Sequence, residues 1–415
     1  MIRRFKRLLA EEEFVKSLQP LEAEMTEPVG PAGYPSLESG DLLIARHKGT
    51  FIRPCPATPR YNCCGLNIFH IGQGCDIGCA YCILSAYLGS EAVISFGNAL
   101  TSGLEELAAR LDEERANLER LRQIESAAGS EAETGSKTET SSRTENVFRP
   151  EEESSGGRER PQDSPDSAEN NLRPKIPNPA DPALNPRSFR YCTGEFTDSL
   201  LLDPLTRVSE KLVEFFNRQK PFTLELKTKT DFIEPLLPLD HGGRTVVSFS
   251  VNAPSVCSRL EPKAATLVNR LLAAKKVWSR GYKIGLHFDP LVHFPGWERE
   301  YRQTAELIRR HVDPASVAFV SLGCFRYLPE LKPIMLMTRP SALFDAEFVR
   351  GGDGKMRYLR PIRKSMYKTV LSFLSECVSG ETIVYMCMES GRMWRDVFGH
   401  DPGTFGLTEM FRKKE

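Results

Sequence analysis

The sequence predicts an α/β protein whose parallel strands form a partial barrel. After position 188 the chain alternates β-rich runs with helical segments of roughly ten to twenty residues, which is the pattern of parallel βαβ units. An apolar run at 66–71 supplies one earlier strand and brings the total to about six β/α units. Since 415 residues are enough for one large α/β domain with decorations, a partial (β/α)6-type barrel is favoured over an open sheet.

The individual elements follow one another in a regular order. Behind the first strand, "TSGLEELAARLDEERANLERLRQI" carries Ser102 and Glu105 at capping-box spacing ahead of periodic leucines, which predicts a helix. The later predicted strands are "SFRYC", "FTLELKT", "TVVSFSV", "YKIGLHF", "VAFVSL" and "TIVYMCM". The later predicted helices cover 204–217, 262–280, 297–310 and 361–377.

Composition separates the barrel from three other segments. Residues 126–187 are rich in Ser, Glu, Thr, Gly and Pro and have almost no apolar side chains, so they cannot offset the entropy cost of ordering. We predict a disordered insertion there, between barrel segments 61–125 and 188–395. Residues 1–60, with a Pro/Gly-rich connector, are predicted to be an N-terminal arm, and residues 396–415 a C-terminal tail.

Charge and cysteine usage limit the partners and the compartment. Lysine and arginine (55) balance aspartate and glutamate (55), so no overall field attracts nucleic acid or an anionic membrane, and any such contact needs a local patch. Eleven cysteines are an odd number in a chain unlike a small disulfide scaffold, which predicts a reducing, cytoplasmic setting. No apolar run is long enough for a signal peptide or a transmembrane helix.

A cluster of three cysteines is the strongest chemical signal. In "GQGCDIGCAYCILSAYLG", Cys75, Cys79 and Cys82 form a C-x3-C-x2-C array. A structural zinc site wants four ligands, and no paired Cys or His knuckle follows at the usual distance. A disulfide would leave one thiol over and conflict with the compartment. A 4Fe-4S cluster on three thiolates would leave one iron open, where a small molecule can chelate and receive an electron.

The array, with Tyr81 just before its third cysteine, resembles the signature of radical S-adenosylmethionine enzymes. That resemblance implies a 4Fe-4S cluster on the three cysteines and S-adenosylmethionine as the second cofactor, with Tyr81 packing on its adenine. The tetrapeptide "CTGE" resembles the glycine-rich turn of these enzymes. By this resemblance Gly194 permits close backbone approach to the methionyl amine, and Glu195 accepts a hydrogen bond from it.

Further blocks resemble the spore photoproduct lyase family and cover roughly residues 60–390 apart from the insertion. They are "GCDIGCAYCILSAYLG", "CTGEFTDSLLLDPLT", "LELKTKTDFIEPLL", "HGGRTVVSFSVN", "EPKAATLVNRLLAAKKVWSRGYKIGLHFDPL", "GWEREY" and "GDGKMRYLRPIRKSMY". The resemblance implies that Lys229, Ser250 and Asn252 contact S-adenosylmethionine at the ends of successive strands. Such ends form the rim of a β/α barrel, where active sites belong.

Two positions bear on catalysis. The resemblance implies that Cys192 supplies the hydrogen atom that quenches a thymine-centred radical, and that Tyr81 belongs to a relay returning a hydrogen atom towards the cofactor. This family has a second tyrosine after the third cysteine, whereas this chain has Ile83. The departure bears on whether S-adenosylmethionine is regenerated after each turnover.

A basic strip near the end of the barrel suggests a nucleic-acid contact. Within "DGKMRYLRPIRKSMYK", the candidate contacts are Lys355, Arg357, Tyr358, Arg360, Arg363 and Lys364. Cations with interleaved aromatics can grip phosphates and stack on bases, although a solvated helix start has the same composition. The strip lies where the lyases have a DNA-contacting hairpin, so the resemblance implies DNA bearing a pyrimidine photoproduct as a partner. It also implies an electron donor such as flavodoxin or ferredoxin.

The leading hypothesis is therefore a radical S-adenosylmethionine lyase that repairs thymine photoproducts in DNA. A second hypothesis keeps the radical chemistry and moves it to a different substrate, because Ile83 and the insertion differ from the lyases. A third is an iron–sulfur or zinc protein that only binds nucleic acid. Cleavage of S-adenosylmethionine by reduced protein separates the two enzymes from the binder.

Overall fold

A computed structural model describes residues 42–55, 61–84, 93–134, 189–338, 342–344 and 346–412. The described residues separate into two compact units, one from residues 1–111 and 186–415 and the other from residues 112–185. In the second unit the described part is the helical stretch 112–134. All strands of the predicted barrel belong to the first unit.

The described chain contains fourteen strands and ten α-helices. The strands are β1 (Leu42–Ala45), β2 (Ile52–Pro54), β3 (Asn67–Phe69), β4 (Gly72–Gln73), β5 (Val93–Phe96), β6 (Arg190–Cys192), β7 (Thr223–Thr228), β8 (Thr245–Ser250), β9 (Lys283–Leu291), β10 (Val317–Cys324), β11 (Arg326–Tyr327), β12 (Phe348–Arg350), β13 (Met356–Tyr358) and β14 (Ile383–Met386). The helices are α1 (Ser102–Thr134), α2 (Asp203–Thr206), α3 (Val208–Asn217), α4 (Pro254–Leu260), α5 (Leu267–Trp278), α6 (Trp297–His311), α7 (Leu331–Thr338), α8 (Arg360–Leu374), α9 (Gly391–Phe398) and α10 (Gly403–Arg412).

The main sheet has the strand order β14-β10-β9-β8-β7-β6-β3-β2 in the described residues. The seven strands from β3 to β14 run parallel, and each lies beside the next one along the chain. The edge strand β2 pairs antiparallel with β3. Helical crossovers between successive neighbours curl the sheet into an open half-barrel, so the predicted fold class is confirmed. Strand β14 adds a seventh parallel strand to the six that were counted for the barrel.

The two faces of the sheet differ in character. Alternate side chains of β6 point to opposite faces, and Tyr191 packs against Phe216 of α3 with ring centroids 5.9 Å apart. The face towards the helices is therefore apolar, as Leu224, Leu226 and Phe249 continue it with at most 1% exposure. The opposite face is lined by polar side chains. The interior of the half-barrel therefore contains groups that can bind a polar ligand.

Three segments differ from the sequence prediction. Helix α1 continues to Thr134, past position 126 where disorder was predicted to begin; residues 135–187 of that predicted insertion lie outside the described residues. The predicted N-terminal arm, whose residues 1–41 and 56–60 also lie outside them, contributes β2 to the main sheet. The predicted C-terminal tail contains α10, where Leu407 and Phe411, one turn apart, are buried.

Local chemistry explains two shifted helix boundaries. The predicted helix 204–217 is divided into α2 and α3 because Arg207 between them adopts φ 49°, in the left-handed region. Helix α5 begins at Leu267 instead of 262 because the Thr266 side chain accepts a hydrogen bond from the Asn269 amide at 3.2 Å and so caps the helix. No helix in the described part of the chain combines the length and apolar character that crossing a membrane requires.

Candidate active site at the carboxyl ends of the strands

The three-cysteine loop follows β4 and is fastened to two other segments. The Gly74 amide donates to the Phe196 carbonyl at 2.9 Å, and the Ala80 amide donates to the Leu260 carbonyl at 2.8 Å. Gly74 and Gly78 have φ values of 88° and 71°, a conformation that side chains with a Cβ rarely adopt. The glycines around the cysteines are therefore explained by the tight path of this loop.

The thiols of the loop lie within one another's electrostatic field. Burial raises the pKa of the Cys79 thiol to about 12, with Cys82 adding to the rise and Lys229 opposing it. Burial likewise raises the pKa of Cys75 well above its usual value, with Asp198, Cys82 and Cys79 contributing. All eleven cysteines are free thiols.

The three thiols of the loop match the needs of a zinc ion and of a 4Fe-4S cluster to different degrees. Among the described residues, no group of three or more His, Cys, Asp or Glu side chains converges to hold a single metal ion. A cubane cluster takes each thiolate on a different iron, so its ligands need not converge on one point. Three soft sulfur donors on one constrained loop therefore fit a 4Fe-4S cluster better than a zinc ion.

A series of hydrogen-bonded, buried side chains supports the cysteine loop. The Tyr81 hydroxyl donates to the Glu261 carboxylate, and Arg270 Nη2 donates to the other carboxylate oxygen at 2.5 Å. Arg270 Nη1 also donates to the Ser250 carbonyl at 2.9 Å. Burial, reinforced by the Glu261 charge, raises the pKa of Tyr81 well above its usual range, so the phenol keeps its proton. Sequence reasoning missed Glu261 and Arg270, whose only signal was their place in the "EPKAATLVNR" block.

Two of the predicted cofactor contacts meet beside Tyr81, and the third does not. Lys229 follows β7, and its Nζ donates to Ser250 Oγ at the end of β8, at 3.2 Å. The same Nζ lies 5.8 Å from the centroid of the Tyr81 ring. Asn252, in contrast, is 2% exposed; its Nδ2 donates to the Pro290 carbonyl at 2.7 Å, and its Oδ1 accepts from the Tyr301 hydroxyl at 2.7 Å. The Asn252 side chain is built into the wall of the barrel.

The turn after β6 carries Gly194 and Glu195. The Gly194 amide donates to Cys192 Sγ at 3.3 Å. A Cβ at position 194 would lie 2.8 Å from Lys227 Cβ and 2.9 Å from the Lys227 carbonyl oxygen. Glu195 lies near Lys227, and its negative charge helps to raise the pKa of the lysine, which burial alone would lower. Glycine is therefore required at position 194 by the close approach of the turn to β7.

Replacing Gly194 with alanine is expected to destabilise the protein by about 1–3 kcal/mol, because a backbone oxygen cannot move aside as a flexible side chain can. Urea unfolding of the two proteins measures the difference. Gly380→Ala is the matched control, since a Cβ there meets nothing within 4 Å, and it should change stability by less than about 0.5 kcal/mol. Equal stability of Gly194→Ala and the wild type would contradict the close packing of this turn.

Cys192 occupies the polar interior face at the end of β6. It is 1% exposed, and in the parallel ladder it lies opposite Ile68 of β3 and Glu225 of β7. Burial, together with the Glu225 charge, raises the thiol pKa well above its usual value. The residue therefore offers a dry S–H group rather than a thiolate.

A second feature that sequence reasoning missed is a charged network inside the half-barrel. Glu225 is fully buried; it accepts from Ser248 Oγ at 2.8 Å and pairs with His287 Nε2 at 2.7 Å. Arg190 Nε lies 4.0 Å from the other carboxylate oxygen. Burial raises the pKa of Glu225, but Arg190 and His287 outweigh it and hold the pKa at about 2. The carboxylate therefore stays ionised within the barrel.

The Arg190 guanidinium is held between aromatic rings. Its central carbon lies 3.8 Å from the centroid of Phe411 in α10 and 4.6 Å from that of Phe319 in β10. Ring faces attract a cation, and this attraction grows when water is excluded. Helix α10 therefore packs against Arg190 at the amino end of β6.

The basic strip is divided between interior and surface. Arg357 is 2% exposed, pairs with Asp353 and lies 4.5 Å from the Tyr61 ring centroid. Arg363 is buried and its Nε donates to Glu389 at 2.9 Å. Tyr358 is 1% exposed and its hydroxyl accepts from the His293 amide at 3.2 Å. These three side chains pack inward because each has a partner there. The partly exposed members of the strip are Lys355, Arg360 and Lys364, of which Arg360 pairs with Asp396.

Comparison with known proteins shows similarity to spore photoproduct lyases. The family model described as spore photoproduct lyase matches residues 183–346. The spore photoproduct lyase of Geobacillus sp. (strain Y412MC61) is 25% identical over 209 residues, which are 48% of this chain and 61% of that protein. The spore photoproduct lyase of Bacillus subtilis (strain 168) is 32% identical over 121 residues, which are 29% and 35% of the two chains. The chain thus spans about three fifths or less of the length of these relatives.

Solved structures share the fold over a longer stretch. A spore photoproduct lyase complexed with dinucleoside spore photoproduct has a TM-score of 0.57 and 20% identity, over 83% of this chain and 82% of that one. A mutant spore photoproduct lyase with bound AdoMet and dinucleoside spore photoproduct gives the same TM-score, identity and coverage. At this level of identity the likeness demonstrates a common fold.

Proposed function

We propose that the chain, which is similar to spore photoproduct lyases in sequence and fold, belongs to that family and is a radical S-adenosylmethionine enzyme that repairs thymine photoproducts in DNA. The observation that carries the proposal is that three features lie at or just beyond the carboxyl ends of neighbouring parallel strands. They are the constrained loop of three thiols, the Tyr81–Lys229–Ser250 group and the buried thiol of Cys192. A zinc or nucleic-acid-binding module has no need of the last two.

In this proposal Cys75, Cys79 and Cys82 hold a 4Fe-4S cluster, and S-adenosylmethionine binds beside them. A cluster held there would supply one electron for the reductive cleavage of S-adenosylmethionine. Tyr81 packs on the adenine, with its orientation set by Glu261. Lys229, Ser250, Gly194 and Glu195 are the remaining proposed contacts to the cofactor. Asn252 is proposed to hold the wall of the barrel beside them in place.

Cys192 and Tyr81 have the proposed hydrogen-transfer roles. The S–H bond of Cys192 is weak and sheltered from water, so it can donate a hydrogen atom to a radical left on thymine. One electron from the proposed donor protein and one proton would then convert the Cys192 thiyl radical back to the thiol. Tyr81 is the single candidate O–H group next to the third cysteine, because Ile83, 40% exposed, has no O–H bond. We therefore expect S-adenosylmethionine to be consumed at about one molecule per repaired photoproduct.

The proposed partners are DNA and a one-electron donor. Lys355, Arg360 and Lys364 are the proposed phosphate contacts, while Arg357, Tyr358 and Arg363 pack inward in the hairpin and helix that carry them. A base modified within a duplex must be turned out before the interior of the half-barrel can reach it. A flavodoxin or ferredoxin is the proposed donor, and the free thiols suit a cytoplasmic location.

Anaerobic incubation of the reduced, reconstituted protein with S-adenosylmethionine and dinucleoside spore photoproduct tests the proposal. We expect about one 5′-deoxyadenosine for each dinucleoside that is repaired to two thymines. Formation of 5′-deoxyadenosine without thymine would favour the same radical chemistry on a different substrate, as Ile83 allows. Absence of both, with retained DNA binding, would leave a nucleic-acid-binding protein.

Cys79→Ala is the companion variant. The wild type should bind about four irons and four sulfides, and the variant should lose the cluster because two thiolates do not hold a cubane tightly. Iron and sulfide analysis with visible absorption spectroscopy measures this. Cys377→Ala, which removes a buried thiol on the far side of the sheet between α8 and β14, should assemble the cluster normally. A colourless wild type with one stoichiometric zinc would refute the cluster.

A further inference from the structure

A basic surface lies at the β2 edge of the main sheet. Arg46, Lys48 and Arg53 are all exposed, and none forms an ion pair with an acidic side chain in the described residues. Arg53 donates through Nε only to the hydroxyl of Thr50, at 3.3 Å. Because the chain as a whole carries no net charge, three unpaired cations within eight residues form a local positive field. We call these three residues the edge patch.

A column of stacked rings leads from the edge patch towards the cysteine loop. The His47 ring, beside Arg46 and Lys48 in the chain, stacks on His70 with centroids 6.0 Å apart. His70, directly after β3, stacks on Phe196 at 4.5 Å. The Phe196 carbonyl in turn accepts the hydrogen bond from the Gly74 amide, the residue before Cys75. Two ring contacts and one backbone hydrogen bond thus connect the patch to the loop that carries the cluster ligands.

The charge of Arg53 acts on His70, which lies in the column of rings. The pKa of His70 is lowered to about 4, mainly by burial and in part by Arg53 and His47. His70 is therefore neutral near pH 7 and can stack on Phe196 without a buried charge. The column is an uncharged, packed connection, while the positive charge stays at the surface.

We propose that the edge patch is the docking surface for an acidic one-electron carrier protein that reduces the cluster. Electron tunnelling slows steeply with distance. A donor should therefore dock on a surface that a short series of contacts connects to the cluster ligands. Such encounters are small and weak and rely on complementary charge for their association rate. The inference rests on the proposed function, because it presumes a cluster on Cys75, Cys79 and Cys82.

The same charges could instead contact DNA phosphates, and the geometry argues against this. Arg53 lies on the edge strand β2 and Arg46 and Lys48 lie in the segment before it, outside the polar interior that Cys192 and Lys229 line. DNA delivering a base to that interior would be gripped by cations at the mouth of the half-barrel. The edge patch is connected to the cysteine loop through the column of rings. It is therefore better placed to receive an electron donor than to bind DNA.

The test compares the wild type with a variant carrying Arg46→Glu, Lys48→Glu and Arg53→Glu, using flavodoxin as the probe. Surface plasmon resonance should show salt-sensitive binding of flavodoxin to the wild type, weakened about tenfold or more in the variant at about 50 mM salt. Bleaching of the cluster by flavodoxin hydroquinone should slow similarly, whereas bleaching by dithionite should be unchanged. A glutamine version of the same three substitutions replaces the reversed one if the latter folds poorly.

The matched control is Lys275→Glu, Lys276→Glu and Arg280→Glu, which reverses three exposed cations around the end of α5 and should leave flavodoxin binding unaltered. Equal weakening by both triple variants would overturn the inference, as would wild-type protein that does not bind flavodoxin at low salt. Loss of duplex DNA binding with unchanged flavodoxin binding would assign the patch to nucleic acid instead. Dithionite-driven cleavage of S-adenosylmethionine tests the proposed function separately, since it bypasses the docking surface.

Discussion

Cys192→Ala is expected to assemble the cluster and to cleave S-adenosylmethionine, yet to lose clean repair of the photoproduct. The residue is not a proposed cluster ligand, so the reductive step does not need it. Without its S–H bond the thymine-centred radical should persist until it is trapped by solution reductants or forms adducts. Restored thymine should fall by about tenfold or more relative to 5′-deoxyadenosine, since each tenfold loss corresponds to only about 1.4 kcal/mol in the barrier of the quenching step. Product analysis by chromatography and mass spectrometry measures this ratio.

Two further variants separate hydrogen donation from packing. Cys192→Ser keeps the size of the side chain, but its O–H bond is too strong to donate a hydrogen atom to a carbon radical at a useful rate, so it should behave like alanine. Cys377→Ala removes a comparably buried thiol whose Sγ contacts the Ala305 carbonyl at 3.3 Å, away from the strand ends, and should leave the products unaltered. Unchanged products from Cys192→Ala would reduce the residue to a small buried side chain beside the turn.

Arg190→Met should be the most destabilising single change in the interior. Removing the guanidinium leaves the Glu225 carboxylate buried with only His287 and Ser248 as partners, and it also removes the cation from between Phe319 and Phe411. Breaking one side of a buried ion pair costs about 3–5 kcal/mol. Chemical unfolding monitored by circular dichroism gives the difference in unfolding free energy.

The accompanying double variant shows where that cost arises. Adding Glu225→Gln to Arg190→Met removes the uncompensated charge and should recover part of the lost stability. Arg309→Met is the surface control, because Arg309 and its partner Glu376 are both mostly exposed, at 61% and 71%, and should change stability by less than about 1 kcal/mol. A double variant less stable than Arg190→Met would show that the carboxylate is not the source of the penalty.

Local patterns were sufficient for most of the elements. The β-rich runs and periodic helices from 189 onwards occur at their predicted places, because strand alternation and helical periodicity are properties of adjacent residues. Boundaries were less well predicted where one residue decides them. The break at Arg207 and the cap at Thr266 depend on a single φ angle and a single hydroxyl, which no average over a window detects.

The basic strip shows a different limit of sequence reasoning. Lys355, Arg357, Arg360, Arg363 and Lys364 are equivalent in composition, yet Arg357 and Arg363 are buried against Asp353 and Glu389. Glu389 lies 26 residues from Arg363 along the chain. Whether a cation faces solvent or a buried acid depends on which distant segment packs beside it.

The sequence by itself determined the half-barrel class and the cysteine loop, because alternation and spacing within short segments limit which structure and chemistry they can support. The resemblance to a known family added Tyr81, Gly194 and Cys192 as candidate residues. Only the tertiary structure decided which residues work together. Glu261 and Arg270 orient Tyr81 from a segment about 180 residues away, and Arg190, Glu225 and His287 meet from three separate strands. Their pairing depends on parallel strands lying side by side and on the exclusion of water from the interior. Neither condition is a property of any short stretch of chain, so no local pattern could predict these contacts.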